Sequence, residues 1–332
     1  MIMKKGILVM MVMVVVIQLS AQNRFDVTEY KVDTDNYPAY DVSAIEKAIK
    51  ELVGIPNFEY RYINSGCNNK SHLIALYLQK KLNIKTFKVW LFAKNTIYHN
   101  GYGVQLRVKD PNSFTQNGYI YWGYHVAVAV KVKSGNSSKI MVIDLPLNEK
   151  EPVNLTDWLL AASQTNSYYT FTEAKYNDYE TIVPAYIKGG HLEQLSKSGN
   201  IFGGIFYTDK LSVDSGWIAN DLARDKAVME YYNEVLKPQI DNNSIISQAN
   251  QMIQQAPPQI RQQGLALGKT EQQIQLEIDA FIADKYKLIQ AERYKITQPI
   301  SDISNISLPQ KYEDRRAALK IELQKYILNI YQ

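Results

Sequence analysis

The pattern of apolar and polar positions changes character near residue 215. Before that point, alternating or continuous apolar runs are typical of buried or half-buried strands. The predicted strands are 86–93, 103–110, 119–132 and 139–147. The residues "SGNSS" (134–138) favour a turn, so the last two strands are predicted to form an antiparallel hairpin.

Helical spacing of apolar residues precedes these strands and dominates the chain after them. The predicted helices are 41–52, 68–82, 155–162, 222–236, 244–255, 270–294 and 310–331. The sequences "APPQ" and "GLALGK" are predicted breaks between helices, and the tyrosine-rich segment up to about residue 210 is predicted to be irregular. The fold class is therefore α+β up to about residue 212, followed by an all-helical C-terminal region.

Local signals indicate where some of these helices begin. Ser43 with Glu46, and Thr270 with Gln273, have the spacing of a capping box. Thr156 is a candidate cap for the short helix 155–162.

The first residues have the pattern of a targeting signal. Lys4 and Lys5 precede an apolar run that extends from Gly6 to Leu19, shorter than the roughly 20 residues that a membrane span needs. We expect a signal peptide over residues 1–21, a polar N-terminal extension over 22–40, and a secreted or periplasmic protein. An uncleaved membrane anchor is the alternative. No cysteine follows the expected cleavage site directly, which argues against a lipid anchor.

Composition narrows the classes of partner. The chain has 332 residues with a formal net charge of +4, which is too small, without a dense basic run, to indicate nucleic-acid binding. The four histidines show no ligand spacing, so neither a metal site nor a cofactor is expected. His99 and His191 lie in predicted loops, and His72 is expected to be structural. After signal cleavage no stable membrane insertion is expected, and the oligomeric state is left open.

Cys67 is the only cysteine of the chain and opens the predicted helix after Ser65-Gly66. Exported proteins use cysteines mostly in disulfide pairs, so a single one indicates an intermolecular link, a reactive thiol or a small buried side chain. A cysteine nucleophile reacts as the thiolate, and a helix N-terminus stabilises that negative charge. The sequence at this point leaves these interpretations open.

His125 and Asp144 lie on the two strands of the predicted hairpin. If the hairpin turns at 135–136, paired positions sum to about 271, which puts Asp144 opposite Ala127 and on the face of His125. His125 shares that face with alanines, where we expect the cysteine helix to approach closely. The alternatives are a hydrogen-bonded core histidine and an aspartate that only begins a turn.

Five sequence blocks together resemble the secreted bacterial protein-glutaminases, which are similar in fold to papain-like and transglutaminase-like cysteine enzymes. The matching residues are Arg61-Tyr62, Gly66-Cys67, His72, Trp122-Tyr124-His125-Val126 and Ile143-Asp144. The resemblance implies a catalytic domain over 41–212, with a helix that carries the cysteine packed on an antiparallel sheet, and leaves 213–332 as a helical C-terminal region.

This resemblance also implies a Cys-His-Asp triad formed by Cys67, His125 and Asp144. The implied reaction is hydrolysis of glutamine side-chain amides in proteins or peptides, through a thioester, to glutamate and ammonia. A transglutaminase or a cysteine peptidase on the same fold is one alternative, because a triad does not determine the acyl acceptor. A non-enzymatic interaction module is another. The C-terminal helices are expected to be a structural lobe or dimerisation element, with a lid over the cleft as the alternative.

Overall fold

The computed structural model describes residues 22–24, 32–93, 106–162, 167–175, 211–302 and 305–331. The predicted signal peptide (1–21) lies outside these ranges, as do His99 and His191. In the described part of the chain, no helix combines the length and apolar character needed to cross a membrane.

The strands follow one another along the first half of the chain. They are β1 (Gln22–Arg24), β2 (Ala39–Tyr40), β3 (Phe87–Ala93), β4 (Leu106–Lys109), β5 (Tyr119–Trp122), β6 (Tyr124–Ser134), β7 (Ser137–Ile143), β8 (Val153–Asn154) and β9 (Ser167–Glu173).

Three helices accompany the strands and the others follow them. They are α1 (Val42–Val53), α2 (Cys67–Lys81), α3 (Leu155–Ala162), α4 (Leu211–Tyr231), α5 (Lys237–Asp241), α6 (Ser244–Ala266), α7 (Glu271–Ser301) and α8 (Gln310–Tyr331). A short π-helical segment, Tyr232–Leu236, joins α4 to α5.

The strands form one main sheet and a separate β4–β5 pair. Within the described residues the main sheet has the order β1-β9-β3-β6-β7-β8, with β2 beside β6. Its central pairs, β9–β3, β3–β6 and β6–β7, are antiparallel, while β1–β9 and β2–β6 are parallel. The predicted α+β organisation, with α2 packed on a largely antiparallel sheet and a helical C-terminal region, is confirmed.

The two faces of the sheet are covered by different helices. On one face, Phe87, Val89 and Leu91 form a core with side chains of α3, together with Ala127 and Ala129. On the other face, Lys88 reaches His72 of α2 with an Nζ–Nδ1 distance of 3.4 Å. The expectation that α2 lies on the alanine face is therefore wrong, because Trp158 and Leu159 of α3 fill that space.

One strand was predicted to be irregular chain. Residues 167–173, "SYYTFTE", form β9 in the middle of the sheet between β1 and β3. Thr170 and Thr172 are buried although they are polar, so the strand lacks the alternation that marks an exposed one. The Thr172 hydroxyl instead accepts a 2.9 Å hydrogen bond from the indole N–H of Trp90, and aromatic and threonine residues suit a sheet.

At the start of two helices, the residue in the capping position is not the predicted one. Asp41 rather than Ser43 is the N-cap of α1, and its carboxylate lies 3.2 Å from the Lys133 ammonium instead of capping the helix. At α3, the Asn154 side chain rather than Thr156 accepts a hydrogen bond, from the Thr156 N–H. The capping box of Thr270 and Gln273 at α7 is confirmed.

The predicted break at "APPQ" is also wrong. Helix α6 continues through Pro257 and Pro258 and ends only at Ala266. Two prolines remove two backbone hydrogen bonds, but α6 packs along α7, where Gly264 lies against Ile274. The packing of α6 along α7 outweighs the loss of these two hydrogen bonds.

The described residues divide into two compact units. The first takes its residues from 1–108, 121–225 and 317–332, and the second takes them from 109–120 and 226–316. The first unit contains the main sheet, α2 and α3. The domain boundary expected at residue 212 stays a prediction.

Candidate active site

Cys67 is the first residue of α2 and is partly exposed. The preceding Gly66 has a left-handed backbone (φ 68°), and no side chain caps the helix. The first N–H groups of a helix have no acceptor within it, and their summed dipoles favour a negative charge. The start of α2 therefore offers both a stabilising field for a thiolate and backbone donors beside it.

The hairpin that carries the other two predicted residues has the expected register. Val128 pairs with Ile143, so the predicted sum of 271 is confirmed. Strand β7 ends at Ile143, Asp144 follows it, and β6 extends beyond to Tyr124. His125 Nε2 lies 2.7 Å from Asp144 Oδ2. Both side chains are buried, with about 5% of their surface exposed.

The imidazole of His125 is fixed by aromatic neighbours as well as by Asp144. The ring of Trp122 stacks on it at 4.5 Å between centroids, and Trp158 lies nearly parallel at 5.6 Å. The Trp158 N–H also donates to Asp144 Oδ2 at 2.7 Å. Asp144 Oδ2 thus accepts from two groups, the Trp158 N–H and Nε2 of His125. The other ring nitrogen, Nδ1, is buried and has no hydrogen-bond partner among the described residues.

The charge state of His125 follows from this environment. Burial alone would lower its pKa, but the negative charge and hydrogen bond of Asp144, together with the neighbouring Cys67, raise the pKa of His125 to about 10. At neutral pH the imidazole is therefore protonated, with Nε2–H donating to Asp144 and a second N–H at Nδ1.

The three predicted residues line one cleft. A pocket of about 340 Å³ is bordered by Cys67, His125 and Asp144, and its apolar wall includes Ile63 and Pro146. Val126 and Ala127, which face opposite sides of the sheet, both border it. The described β7 residues pair only as far as Val128, so the cleft opens at the sheet edge beyond that pair. This opening lets α2 on one face approach a histidine of the other.

Two buried basic residues near Cys67 were not predicted as a pair. Lys88 is fully buried in β3, and burial lowers its pKa well below the usual value, against the opposing effect of Cys67. Burial and then the charge of Lys88 lower the pKa of His72. A lysine inside the apolar run "TFKVWLFA" was the available signal, because lysine is almost never fully buried without a partner.

The described part of the chain has no group of side chains that could hold a metal ion. No set of three or more histidine, cysteine, aspartate and glutamate side chains there has the required proximity. What the cleft brings together is a thiol at a helix start, a buried imidazolium and a carboxylate. That combination suits acyl transfer through a cysteine nucleophile.

The family comparison covers this part of the chain. Residues 42–162 match the family model described as "Glutaminase". The matched region contains Cys67, His125, Asp144 and Trp158, so the resemblance found in the sequence is confirmed over this region. Among curated proteins, no relative matches the chain.

Solved structures of protein-glutaminases show a partial likeness. A mutant of pro-protein-glutaminase is 17% identical, with 48% of this chain and 51% of that chain covered and a TM-score of 0.34. The NMR structure of protein-glutaminase from Chryseobacterium proteolyticum is 15% identical, with 59% and 89% covered and a TM-score of 0.35. This chain spans about half the length of the pro-protein-glutaminase structures.

Proposed function

We propose that this protein hydrolyses the side-chain amide of glutamine in proteins or peptides, with Cys67, His125 and Asp144 as the catalytic triad. The observation that carries the proposal is the geometry of His125. Its Nε2 is held 2.7 Å from Asp144, and its Nδ1 is left for the cleft that Cys67 also lines. The match of residues 42–162 to a glutaminase family supports a glutamine amide as the substrate.

In the first half of the reaction, the Cys67 thiolate attacks the side-chain carbonyl carbon of glutamine. The negative charge that develops on the oxygen is stabilised by backbone N–H groups at the start of α2. The imidazolium of His125 gives its Nδ1 proton to the amide nitrogen, the C–N bond breaks, and ammonia leaves. Cys67 then holds the substrate as a thioester.

In the second half, the now neutral His125 accepts a proton from water, whose oxygen attacks the thioester carbonyl. The C–S bond breaks, glutamate is released, and the thiolate and imidazolium are restored. Asp144 keeps Nε2 in place throughout, and Trp122 and Trp158 hold the ring plane. Because the ring is prealigned, little ordering is left for the reaction itself.

We propose that the reaction takes place outside the cytoplasm, after removal of the signal peptide predicted over 1–21. The substrates are then proteins or peptides with exposed glutamine. Neither nucleic acid nor a cofactor has a role in this scheme. Finding the protein with an intact N-terminus inside the producing cell would contradict the export.

The test is incubation of the purified protein with casein while ammonia, new peptides and crosslinks are measured together. The proposal predicts ammonia without chain shortening or crosslinks, and loss of ammonia release in a folded Cys67→Ala variant. New peptides would instead identify a peptidase, and crosslinks a transglutaminase. Absence of all three products, with Cys67 unreactive to iodoacetamide near pH ~7, would favour a non-enzymatic interaction module.

A further inference from the structure

A buried polar network surrounds the turn that precedes Cys67. Lys70 lies one turn into α2, and its side chain is only 5% exposed. The Lys70 ammonium donates to the backbone carbonyl of Tyr62 at 2.6 Å and to that of Ser65 at 2.8 Å. The two carbonyls belong to the turn 62–66, so one side chain of α2 holds together the segment that delivers Cys67.

The acceptor that completes this network comes from α4, outside the region that matches the glutaminase family. The Asp225 carboxylate is completely buried and lies 2.5 Å from the Lys70 ammonium. Its other oxygen accepts a hydrogen bond from the Ser65 hydroxyl at 3.1 Å. Arg224 also donates to the Ser65 hydroxyl oxygen, at 2.8 Å. Asp225 therefore contacts the turn directly and also through Lys70.

A second link joins the same two helices. The Asn69 side-chain amide donates to Asp221 at 2.7 Å, and Arg224 pairs with Asp221 at 3.2 Å. The chain is thus attached to α4 on both sides of Cys67, at Ser65 in the preceding turn and at Asn69 in the first turn of α2.

Gly66 shows how closely α4 approaches the nucleophile. Its left-handed φ of 68° favours glycine, and a Cβ at this position would lie 3.2 Å from Asp225 Oδ2. The backbone immediately before Cys67 therefore lies directly against the buried carboxylate. The residue that Asp225 contacts at this point, Gly66, is the direct neighbour of Cys67 in the chain.

We propose that Asp225 is a positioning residue, which acts through Lys70 and Ser65 to fix the turn 62–66 and thereby sets the Cys67 sulfur against His125. What Cys67 does once positioned rests on the proposed function. The physical reason is that a cysteine nucleophile at a helix start depends on alignment with its imidazole, and a displacement of about 1 Å can reduce a rate by roughly 100-fold.

The test separates positioning from stability with a pair of variants. Asp225→Asn leaves a buried ammonium without its charge partner, so it is expected to lower the melting temperature. Lys70→Met combined with Asp225→Asn removes both members of this ion pair, and the melting temperature is expected to recover in part, because the unpaired buried ammonium is gone. Arg224, which also lies 3.2 Å from Asp225, keeps Asp221 as its charge partner. Lys70→Met also removes the hydrogen bonds to the carbonyls of Tyr62 and Ser65, so kcat for ammonia release should stay about 100-fold below wild type, with KM changed less than kcat.

The second readout does not depend on the proposed reaction. The rate at which iodoacetamide alkylates Cys67 is measured from about pH 5 to about pH 9. The double variant should be alkylated more slowly than wild type at neutral pH, because its Cys67 is no longer held beside His125. Glu230→Gln is the matched control, because it breaks the 3.2 Å ion pair with Arg315 and touches neither α2 nor the turn; its alkylation should be that of wild type.

The outcomes are distinct. A double variant that regains both stability and the wild-type kcat and alkylation profile would show that Asp225 only supports the fold, and would overturn the proposal. If wild type releases no ammonia, the proposed function fails, and the alkylation profile alone decides about Asp225. If the double variant does not fold, Ser65→Ala replaces it; a folded Ser65→Ala with wild-type alkylation would equally overturn the positioning role.

Discussion

His125 is the residue on which the proposed chemistry depends, and its surroundings were only partly predictable. The alternation of β6 and the hairpin register could both be predicted from the sequence, and together they bring Asp144 to the ring of His125. The second donor to Asp144, Trp158, comes from α3, and no periodicity links a helix residue to a carboxylate on a strand end. Lys88 is an unusual residue in an apolar strand, which the sequence shows. Its contact with His72 could not be predicted, because it depends on which face of the sheet α2 covers.

Asp144→Asn tests the charge on His125. The variant keeps the size of the side chain but removes its negative charge, so the pKa of His125 should fall from about 10 towards its ordinary value of 6.5. Ammonia release at pH ~7 should drop by about 10²- to 10⁴-fold, because less imidazolium remains and the ring is less well oriented. The pH profile of kcat is the measurement. Wild-type activity should persist until the pH approaches about 10, and a variant with an unchanged profile would contradict the assignment.

The two buried histidines, His72 and His125, should make the free energy of unfolding depend on pH in opposite directions. The pKa of His125 is raised to about 10, so its contribution is complete below pH ~6.5 and is lost as the pH rises towards 10. The pKa of His72 is lowered below 6.5. The unfolded chain therefore takes up a proton at His72 that the folded chain refuses, and stability falls as the pH decreases below 6.5.

His72→Asn separates these two contributions. It should flatten the acid side of the stability profile between about pH 7 and about pH 5, while the alkaline side stays as in wild type. Urea unfolding at a series of pH values measures this. An equally steep acid side in the variant would show that His72 is not the group responsible.

At the scale of elements, the sequence predicted strands and helices well where apolar spacing is regular. Strand β9 was missed because its buried threonines and half-buried tyrosines hide the alternation. Helix α6 was predicted too short because prolines normally end helices, whereas packing along α7 carries it through Pro257 and Pro258. In both cases a contact distant in sequence overrides a local preference.

Gly264→Ala tests that packing. In most helix interiors, alanine is more stable than glycine by about 0.5–1 kcal/mol. Here a Cβ would lie 2.5 Å from Ile274 Cγ1, and overpacking costs about 1–3 kcal/mol. We expect a net loss of about 1 kcal/mol in the free energy of unfolding, measured with urea.

The control for this prediction is Ile274→Ala. Combined with Gly264→Ala it opens the space that the new methyl group needs, so the double variant should lose less stability than the two single losses added together. A stabilising Gly264→Ala would contradict the close packing of α6 on α7.

At the scale of the whole molecule, the unit that holds the site is assembled from distant parts of the chain. It includes residues up to 225 of α4 and residues from 317 onward of α8. Leu222 and Ala223 of α4, and Leu319 and Ile327 of α8, are all buried. The sequence predicted these helices but not the compact unit to which each belongs. An amphipathic pattern shows that one face of a helix is buried, but it does not show which element buries it.

Truncation of the chain after about residue 215 tests this assembly. It removes the buried side chains of α4 and α8 and the partner of Lys70, so we expect loss of cooperative unfolding and of activity. Circular dichroism during heating and ammonia release measure the two effects. A truncated protein that is folded and faster than wild type would instead identify the C-terminal helices as a lid.

In the proposed reaction, Cys67 carries the substrate as a thioester. The most direct measurement is mass spectrometry of the protein after rapid acid quenching with a glutamine-containing peptide. We predict a transient adduct on Cys67 with the mass of the peptide less one ammonia, present in wild type and absent in Cys67→Ala. Ammonia release that continues in Cys67→Ala, with no adduct on Cys67 in wild type, would rule out this intermediate.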